Sequence, residues 1–232
     1  MILHYMGKVD STNRWAKKYR NLRQFHVFYA GYQTAGKGRM ARKWISSPNT
    51  NVLMTIAHPI SKICNPPWFS GLVASYTIIN ILKTYGINAY YKWPNDIWTN
   101  RGKIAGILPE TILEDKISAL IVGIGLNVNE KSFPQSIQAS SMFIETGKTY
   151  DIHYLIRKLA NFYIASTSHT PSQIVNYLWQ HFVWKEKEII ALPDRITGIA
   201  SNMTEKGELI IRTKEGKKLV LKWGEITIRK GL

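Results

Sequence analysis

The sequence predicts an α+β protein in which a mixed or largely antiparallel sheet is flanked by helices and followed by a small β-barrel. Three observations support this fold class. Apolar residues show helical spacing in a few segments, many short runs are rich in β-branched and aromatic residues, and closely spaced short strands begin after about residue 184. We therefore expect two domains, residues 1–184 and residues 185–232.

The first elements follow from capping residues and residue type. Ser11 or Thr12 is suited to cap an amphipathic helix that runs to about Leu22. Segments 25–33 and 51–59 are rich in aromatic and β-branched residues, which predicts strands. A proline start, helical spacing and a terminal glycine predict a helix over residues 66–85.

Short strands separated by turn residues are expected next, within residues 87–93, 97–100, 103–110 and 116–129. Two more helices are predicted near residues 152–166 and 172–183. Residues 188–229 contain four or five short strands divided by turns such as "TEKGE" and "KEGKK". This last pattern is typical of a small β-barrel.

Composition excludes several classes of protein. With 45% hydrophobic residues the chain has ample material for a core, and its longest apolar run, residues 119–126, is too short to span a bilayer. The first residues lack the pattern of a secretory signal. A single cysteine, Cys64, excludes an internal disulfide and a cysteine-rich zinc site. We expect a cytoplasmic protein with no membrane segment.

The net charge of +16 predicts attraction to an anionic partner such as nucleic acid, an acidic protein or nucleotide phosphates. A strongly basic surface that only maintains solubility is an equal alternative. Two nucleotide-binding patterns are incomplete. "ETGKT" lacks the first glycine of a phosphate-binding loop, and "GKGRMA" is not followed by a convincing helix.

The segment Gln33–Trp44, "QTAGKGRMARKW", is the first candidate site, and we call it the cationic loop. Its glycines allow backbone N–H groups to approach an anion, and its arginines can grip a carboxylate or phosphate with two hydrogen bonds. Trp44 offers a flat face for an adenine ring. The alternative is a solvated basic turn with Trp44 in the core.

Two further clusters carry polar residues at turns. "YYKWPNDIW" brings Lys92, Asn95 and Asp96 to a proline turn, and Lys103 begins the following strand. A lysine and a carboxylate on either side of a hairpin can bind a ligand carboxylate and orient an amine, although a capped turn is the simpler explanation. "GIGLNVN" contains glycines that mark either close approach of a ligand or a bulge, and Asn127 reads an adenine edge or caps a turn.

Taken together, these motifs resemble those of the biotin protein ligases, also called biotin–acetyl-CoA-carboxylase ligases. "DSTN" (10–13) resembles the biotin-site segment of that family, and "GKGRMARKW" (36–44) resembles its glycine- and arginine-rich loop. "KWPND" with "KIAG" resembles its central motif and biotin-contacting lysine. "GIGLNVN" (123–129) and the terminal "WGEITIR" resemble its glycine strand and the end of its SH3-like barrel. The resemblance extends over nearly the whole chain.

The resemblance implies a class II synthetase-like ligase core over residues 1–184, which binds biotin and ATP, and an SH3-like barrel over residues 185–232. It also implies two steps. The biotin carboxylate attacks the α-phosphate of Mg-ATP to form biotinyl-5′-adenylate, and a lysine of a carrier domain then displaces AMP. The implied substrates and cofactors are biotin, ATP and Mg²⁺, and no side-chain cluster is expected to bind the metal.

The same similarity assigns residues to roles. The implied biotin-binding residues are Ser11, Thr12, Asn13, Gln33, Gly36, Lys37, Gly38, Arg39, Lys103, Gly106 and Gly123. The implied ATP- or adenylate-binding residues are Arg39, Arg42, Trp44, Asn95, Lys103, Asn127 and Arg229. The implied catalytic residues are Arg39 and Lys103, which join the two anions, and Asp96, which orients the acceptor amine or takes its proton. We also expect the cationic loop to order over the ligand and exclude water.

Three positions depart from the family pattern. Lys37 replaces an arginine and loses the guanidinium fork, Ala41 replaces a glycine, and Pro109 stands where a β-branched residue is usual. If the position of Ala41 needs a positive φ, the loop takes a different path from that of the family. Beside Pro109, Glu110 is retained.

The implied partner is the biotin carboxyl carrier domain of a biotin-dependent carboxylase, and a homodimer is compatible with the sequence. "DSTN" begins at residue 10, so we expect no helix-turn-helix before it and no specific DNA binding. The alternatives are a lipoate–protein ligase of the same fold and, in another class, a basic nucleic-acid-binding protein.

Overall fold

The structure is a computed structural model that describes residues 1–20, 22–59, 67–113, 117–223 and 226–231. Cys64 lies outside the described residues, and so do Gly224 and Glu225 of the terminal motif. Within the described ranges, no helix has the length and apolar character needed to cross a bilayer.

A seven-stranded sheet forms the centre of the larger part, in the order β1-β3-β5-β9-β8-β7-β6. Its strands are β1 (Ile2–Tyr5), β3 (His26–Tyr29), β5 (Asn51–Ala57), β6 (Tyr90–Lys92), β7 (Asp96–Trp98), β8 (Lys103–Leu113) and β9 (Ile117–Asn127). The pair β1–β3 is parallel and every other pair in the sheet is antiparallel. A separate parallel pair joins β2 (Lys8–Val9) to β4 (Tyr32–Gln33).

Helices cover both faces of this sheet. They are α1 (Thr12–Ala16), α2 (Pro67–Lys83), α3 (Met142–Thr146), α4 (Ile152–Ser166) and α5 (Pro171–Gln180). On one face α2 packs against β8, α4 and α5, so its side chains are buried on nearly all sides. On the other face α1 packs against β3, β5 and β9. Alternate residues of β5 enter the two cores, as strand geometry requires.

The carboxyl-terminal part is a five-stranded antiparallel sheet in the order β13-β12-β11-β10-β14. Its strands are β10 (Glu188–Leu192), β11 (Ile196–Met203), β12 (Leu209–Arg212), β13 (Lys218–Leu221) and β14 (Thr227–Lys230). It contacts the larger part through Trp93, whose indole N–H donates to the Gly207 carbonyl at 3.0 Å. The Trp93 ring also lies 5.8 Å from that of Trp223.

The predicted fold class is confirmed: a mixed sheet flanked by helices is followed by a small antiparallel sheet. The helix predicted over residues 152–166 has those bounds, whereas strand β1 and helix α3 were not predicted. The domain boundary at residue 184 stays a prediction.

Two predicted elements are wrong in extent. The helix after Ser11 ends at Ala16 instead of Leu22. Leu22 and Tyr19 pack with Phe28 in a small cluster under the sheet, and this tertiary contact turns the chain out of the helix. The strand predicted over residues 25–33 is broken into β3 and β4.

Pro109 lies inside β8 without disturbing the sheet. The backbone N–H of Ile107 points away from β9, since it donates to the Asn95 backbone carbonyl at 2.9 Å. The backbone nitrogen of Pro109, two residues on, faces the same way, where β7 no longer pairs with β8. The Pro109 ring packs against Gly71 of α2, where an added Cβ would lie 3.2 Å from the ring. The departure from the family pattern is therefore accommodated at an edge.

Candidate active site

A cavity of about 390 Å³ lies between the central sheet, the cationic loop and strand β14. Most of the predicted site residues line it, namely Ser11, Thr12, Asn13, Gln33, Lys37, Gly38, Arg39, Arg42, Trp44, Asn95, Asp96, Lys103, Gly106, Gly123 and Asn127. Gly36 and Arg229 do not. Gly36 closes the base of the loop by accepting from the Trp44 N–H at 3.0 Å, and Arg229 follows two residues of β14 that do line the cavity.

At the hairpin between β6 and β7, Asn95 holds Arg39 in the cavity. The Arg39 guanidinium donates to Asn95 Oδ1 at 3.2 Å and to the Ile226 carbonyl at 3.3 Å. Asn95 is itself fixed, because its amide donates to the Ile107 carbonyl at 2.8 Å. Burial and the nearby Arg42 lower the pKa of Arg39, while Asp96 opposes that shift. The Arg39 guanidinium is therefore a cation held in one position and partly buried from water.

Lys103 and Asp96 form an ion pair with Nζ and Oδ1 2.6 Å apart. The backbone of Lys103 is also held, since its N–H donates to the Gln138 carbonyl at 3.1 Å and its carbonyl accepts from Ser140 at 2.9 Å. Asn127 donates to the same Lys103 carbonyl and, at 2.9 Å, to that of Ser140. Asn127 therefore braces the strand that carries Lys103.

Trp44 lies flat against the glycines of β8 and β9. A Cβ added at Gly125 would be 2.6 Å from the indole, and one added at Gly106 would be 3.0 Å from it. These glycines are required for close approach of the ring. The Lys103 ammonium lies 5.6 Å from the ring centroid. The indole N–H is buried and has no hydrogen-bond partner among the described residues.

At the opposite end of the cavity, buried amides and hydroxyls form one network. Gln33 Oε1 accepts from the Thr12 backbone N–H at 2.7 Å and from its hydroxyl at 3.1 Å. Thr55 lies within 2.8 Å of the Thr12 hydroxyl and 2.6 Å of Asn13 Oδ1. The Asn13 amide donates to Glu110 Oε2 at 2.6 Å. Both side-chain amides are thus held in one orientation.

The cationic loop contains two consecutive residues in the left-handed region, Met40 with φ 54° and Ala41 with φ 56°. The loop is closed by the Gly38 N–H, which donates to the Arg42 carbonyl at 2.7 Å. Ala41 thus adopts a positive φ at the position where the family has glycine, and this costs an L-residue about 1–2 kcal/mol.

Lys92 is the remaining cation of the hairpin, and its pKa is lowered to about 8. Burial is the largest cause, while Lys103, Arg229 and Arg42 act in the same direction and Asp96 acts against them. The Lys92 ammonium lies 3.9 Å from the centroid of the Trp98 ring. The sequence places Lys92 in the hairpin motif but does not indicate a role for it.

Some lining residues were missed altogether. Glu130 accepts from Ser47, Thr50 and Asn51 and so ties the exit of the cationic loop to the end of β9. Residues 132–139 form a wall beside Lys103, and Thr55 is buried behind the amides. Single polar residues in a strand or loop carry no spacing signal, which is why they were not found.

The chemistry of the donor set does not suit a protein-bound Mg²⁺. No group of three His, Cys, Asp or Glu side chains occurs among the described residues. The two carboxylates that line the cavity, Asp96 and Glu130, are already occupied by Lys103 and by the loop donors. The described residues therefore offer no ligand set for a metal held by the protein alone.

Comparisons with known proteins show the family of this chain. The model of the "Biotin/lipoate A/B protein ligase family" matches residues 6–127. The chain belongs to the biotin/lipoate A/B protein ligase family. Within it the chain is a biotin protein ligase.

Two relatives and one structure illustrate the similarity. The bifunctional ligase/repressor BirA of Bacillus subtilis is 30% identical over 235 residues, which cover 94% of this chain and 71% of that protein. The biotin–[acetyl-CoA-carboxylase] ligase of Mycobacterium tuberculosis is 23% identical over 212 residues, covering 86% and 77%. The biotin protein ligase from Aquifex aeolicus in complex with biotin and ATP superimposes with a TM-score of 0.87 at 26% identity, covering 99% of both chains.

Proposed function

We propose that this ligase activates biotin with Mg-ATP to biotinyl-5′-adenylate and transfers the biotinyl group to a lysine of a biotin carboxyl carrier domain. One observation carries the proposal: a single cavity has an oriented amide network at one end and a cluster of cations at the other. A ligand with a neutral polar ring system and a carboxylate matches this arrangement.

The amide network suits the ureido group of biotin. Because Gln33 Oε1 is occupied by Thr12, its amide nitrogen is available to donate to a ligand carbonyl. The Thr12 hydroxyl and the neighbouring Ser11 line the same end of the cavity. Apolar atoms of Met54, Leu108 and Ile124 supply the wall that the fused rings need.

The cations suit the first step, which joins two anions. Arg39 and Lys103 bind the biotin carboxylate and the α-phosphate, and Lys37 and Arg42 add positive charge at the loop. Trp44 and Asn127, which both line the cavity, hold the adenine side. Arg229 extends the positive charge towards the phosphate chain from β14.

In the second step Asp96 orients the incoming amine. Its carboxylate is held by Lys103 at the cavity, so it can accept a hydrogen bond from an acceptor ammonium. We expect Asp96→Asn to form adenylate but to transfer biotin about 100-fold more slowly. Single-turnover rates of pyrophosphate release and of carrier labelling measure the two steps separately. Transfer at the wild-type rate would remove Asp96 from the mechanism.

The net charge of +16 supports an acidic carrier domain as the partner. Opposite charges steer association, and this steering weakens as salt increases. Activation of lipoate is the second candidate, because the family includes lipoate ligases. Comparing biotin- with lipoate-dependent release of pyrophosphate separates the two. Binding of random DNA that is unaffected by biotin and ATP would instead favour a nucleic-acid-binding protein.

The decisive experiment is incubation of the purified ligase with biotin, Mg-ATP and a biotin carboxyl carrier domain, followed by intact-mass measurement. We expect one biotinyl group on the carrier, and none when its acceptor lysine is replaced by arginine. Absence of both pyrophosphate release and labelling would overturn the proposed function. The cytoplasm, where carboxylases and ATP are present, is the compartment we propose.

A further inference from the structure

Lys92 is held at the cavity by aromatic rings on two different segments. Its ammonium lies 3.9 Å from the ring centroid of Trp98 on β7 and 5.2 Å from that of Trp184, which follows α5. Lys92 lines the cavity together with Asp96 and Lys103. It also pairs with Asp96 in the register of β6 and β7, so the two side chains share one face of the hairpin.

The charges around Lys92 come from four elements. Asp96 of β7 faces it directly across the hairpin, where the two residues are paired. Lys103 of β8, Arg42 of the cationic loop and Arg229 of β14 add three cations. Burial and these cations favour the neutral amine, whereas Asp96 and the indole faces favour the ammonium. The balance leaves the pKa of Lys92 at about 8.

The second step needs a base of this kind. A lysine amine in water has a pKa of about 10.4, so the acceptor arrives as an ammonium and must lose a proton before it can attack. Asp96 is badly suited to take that proton, because its carboxylate is already paired with Lys103 at 2.6 Å. That carboxylate oxygen is therefore already engaged by the Lys103 ammonium.

We propose that Lys92 is the proton acceptor of the transfer step and that Asp96 only orients the incoming amine; this inference rests on the proposed function. The acceptor ammonium gives one proton to the neutral Lys92 amine. Its freed electron pair then forms a C–N bond with the acyl carbon. The bond from that carbon to the phosphate oxygen breaks, AMP leaves with the electron pair, and the second proton of the nitrogen passes to solvent.

Lys92 does not accept a proton in the first step. A bound triphosphate brings negative charge to the cavity and keeps Lys92 protonated, so at that stage it acts only as a cation. When pyrophosphate leaves, this charge is lost and the neighbouring cations again favour the neutral amine. The base therefore becomes available after the adenylate has formed.

Lys92→Arg tests the inference. Arginine keeps the charge and stacks on indole rings, but it does not deprotonate in proteins. We expect adenylate formation at close to the wild-type rate and transfer to a carrier domain slowed about 100-fold or more. Adenylate formation also reports that the variant is folded. Lys217→Arg, an exposed turn lysine, is the matched control and should leave both steps unchanged.

Two further measurements separate a base from a structural role. In single-turnover assays, the wild-type transfer rate should rise as the pH passes through about 8, and Lys92→Arg should lose this rise. Hydroxylamine is already uncharged at neutral pH, so it should capture the adenylate equally fast in both proteins. Wild-type transfer by Lys92→Arg, or an equal loss with hydroxylamine, would overturn the inference. Failure of the wild-type protein to form adenylate would instead overturn the proposed function.

Discussion

At the scale of single residues, the site depends on where a few backbones and amides are held. The predicted amides and the predicted cations other than Arg229 line one cavity, and their roles stay predictions. For Ala41, the sequence shows an alanine in place of the family's glycine, but it does not show the backbone conformation. The φ of 56° is seen only in the folded loop. That conformation stores strain which glycine would relieve.

We expect Ala41→Gly to raise the free energy of unfolding by about 0.5–1 kcal/mol, because relief of the positive φ exceeds the entropy that glycine adds to the unfolded chain. Urea denaturation measures the change. Ala35→Gly is the matched control in the same loop, since Ala35 has no positive φ and should only lose stability. Equal destabilisation by both variants would show that Ala41 is unstrained.

At the scale of elements, the cationic loop is fastened at both ends. At its start, the backbone N–H groups of Thr34 and Ala35 donate to the carbonyls of Val9 and Asp10, respectively. Beyond its end, the Glu130 carboxylate accepts from Ser47 at 2.6 Å and from Thr50 at 2.8 Å. Burial tends to raise the pKa of Glu130, but these hydrogen bonds outweigh it and the pKa lies below its ordinary value. The carboxylate therefore stabilises the loop at neutral pH.

Glu130→Gln should loosen the loop, because a neutral amide oxygen replaces a charged acceptor and about 1–1.5 kcal/mol of local stability is lost. We expect trypsin to cleave after Arg39, Arg42 or Lys43 about tenfold faster, and the adenylate to escape sooner. In the wild-type protein, protection of the loop amides from hydrogen exchange should persist above pH 4.5 and fall as the pH drops through the lowered pKa of Glu130.

The control for this loop is Glu205→Gln, at an exposed turn of the carboxyl-terminal sheet. It removes the same charge without touching the loop, so its cleavage rate should equal that of the wild type. If Glu130→Gln were cleaved no faster than this control, Glu130 would have no part in holding the loop.

At the scale of the whole molecule, the two sheets meet at the hairpin between β6 and β7. The fully buried Trp93 donates from β6–β7 to Gly207, and Arg39 donates to Ile226 just before β14. Only glycine suits position 207, because its φ is 75° and an added Cβ would lie 2.6 Å from the Leu72 side chain. The smaller sheet therefore supports the turn that carries Asn95 and Asp96.

Trp93→Phe should lower the free energy of unfolding by about 1–3 kcal/mol, since the buried Gly207 carbonyl loses its donor. Chemical denaturation of the whole chain measures this loss. Trp15→Phe is the matched control, because Trp15 is 37% exposed and should cost much less. Equal losses in the two variants would show that the hydrogen bond between the sheets contributes nothing.

Much of the fold could be predicted because the responsible signals are local. Helix α4 has a side-chain cap at Asp151 and a clear apolar face, and strand β5 is a run of β-branched and apolar residues. Helix α1 was overestimated because Tyr19 and Leu22 follow a helical pattern yet pack elsewhere. Thr55 and Glu130 were missed because their partners lie far away in the sequence.

The sequence by itself determined the alternation of helices and strands, the cationic loop and the hairpin motif, because capping, side-chain periodicity and turn chemistry act over a few residues. The tertiary structure decided what those motifs face. The pairing of Asp96 with Lys103, the two indoles around Lys92 and the φ of Ala41 depend on contacts between distant segments and on burial from water. These contacts set charge and orientation, so they decide which residue of a motif can act as an acid, a base or a support.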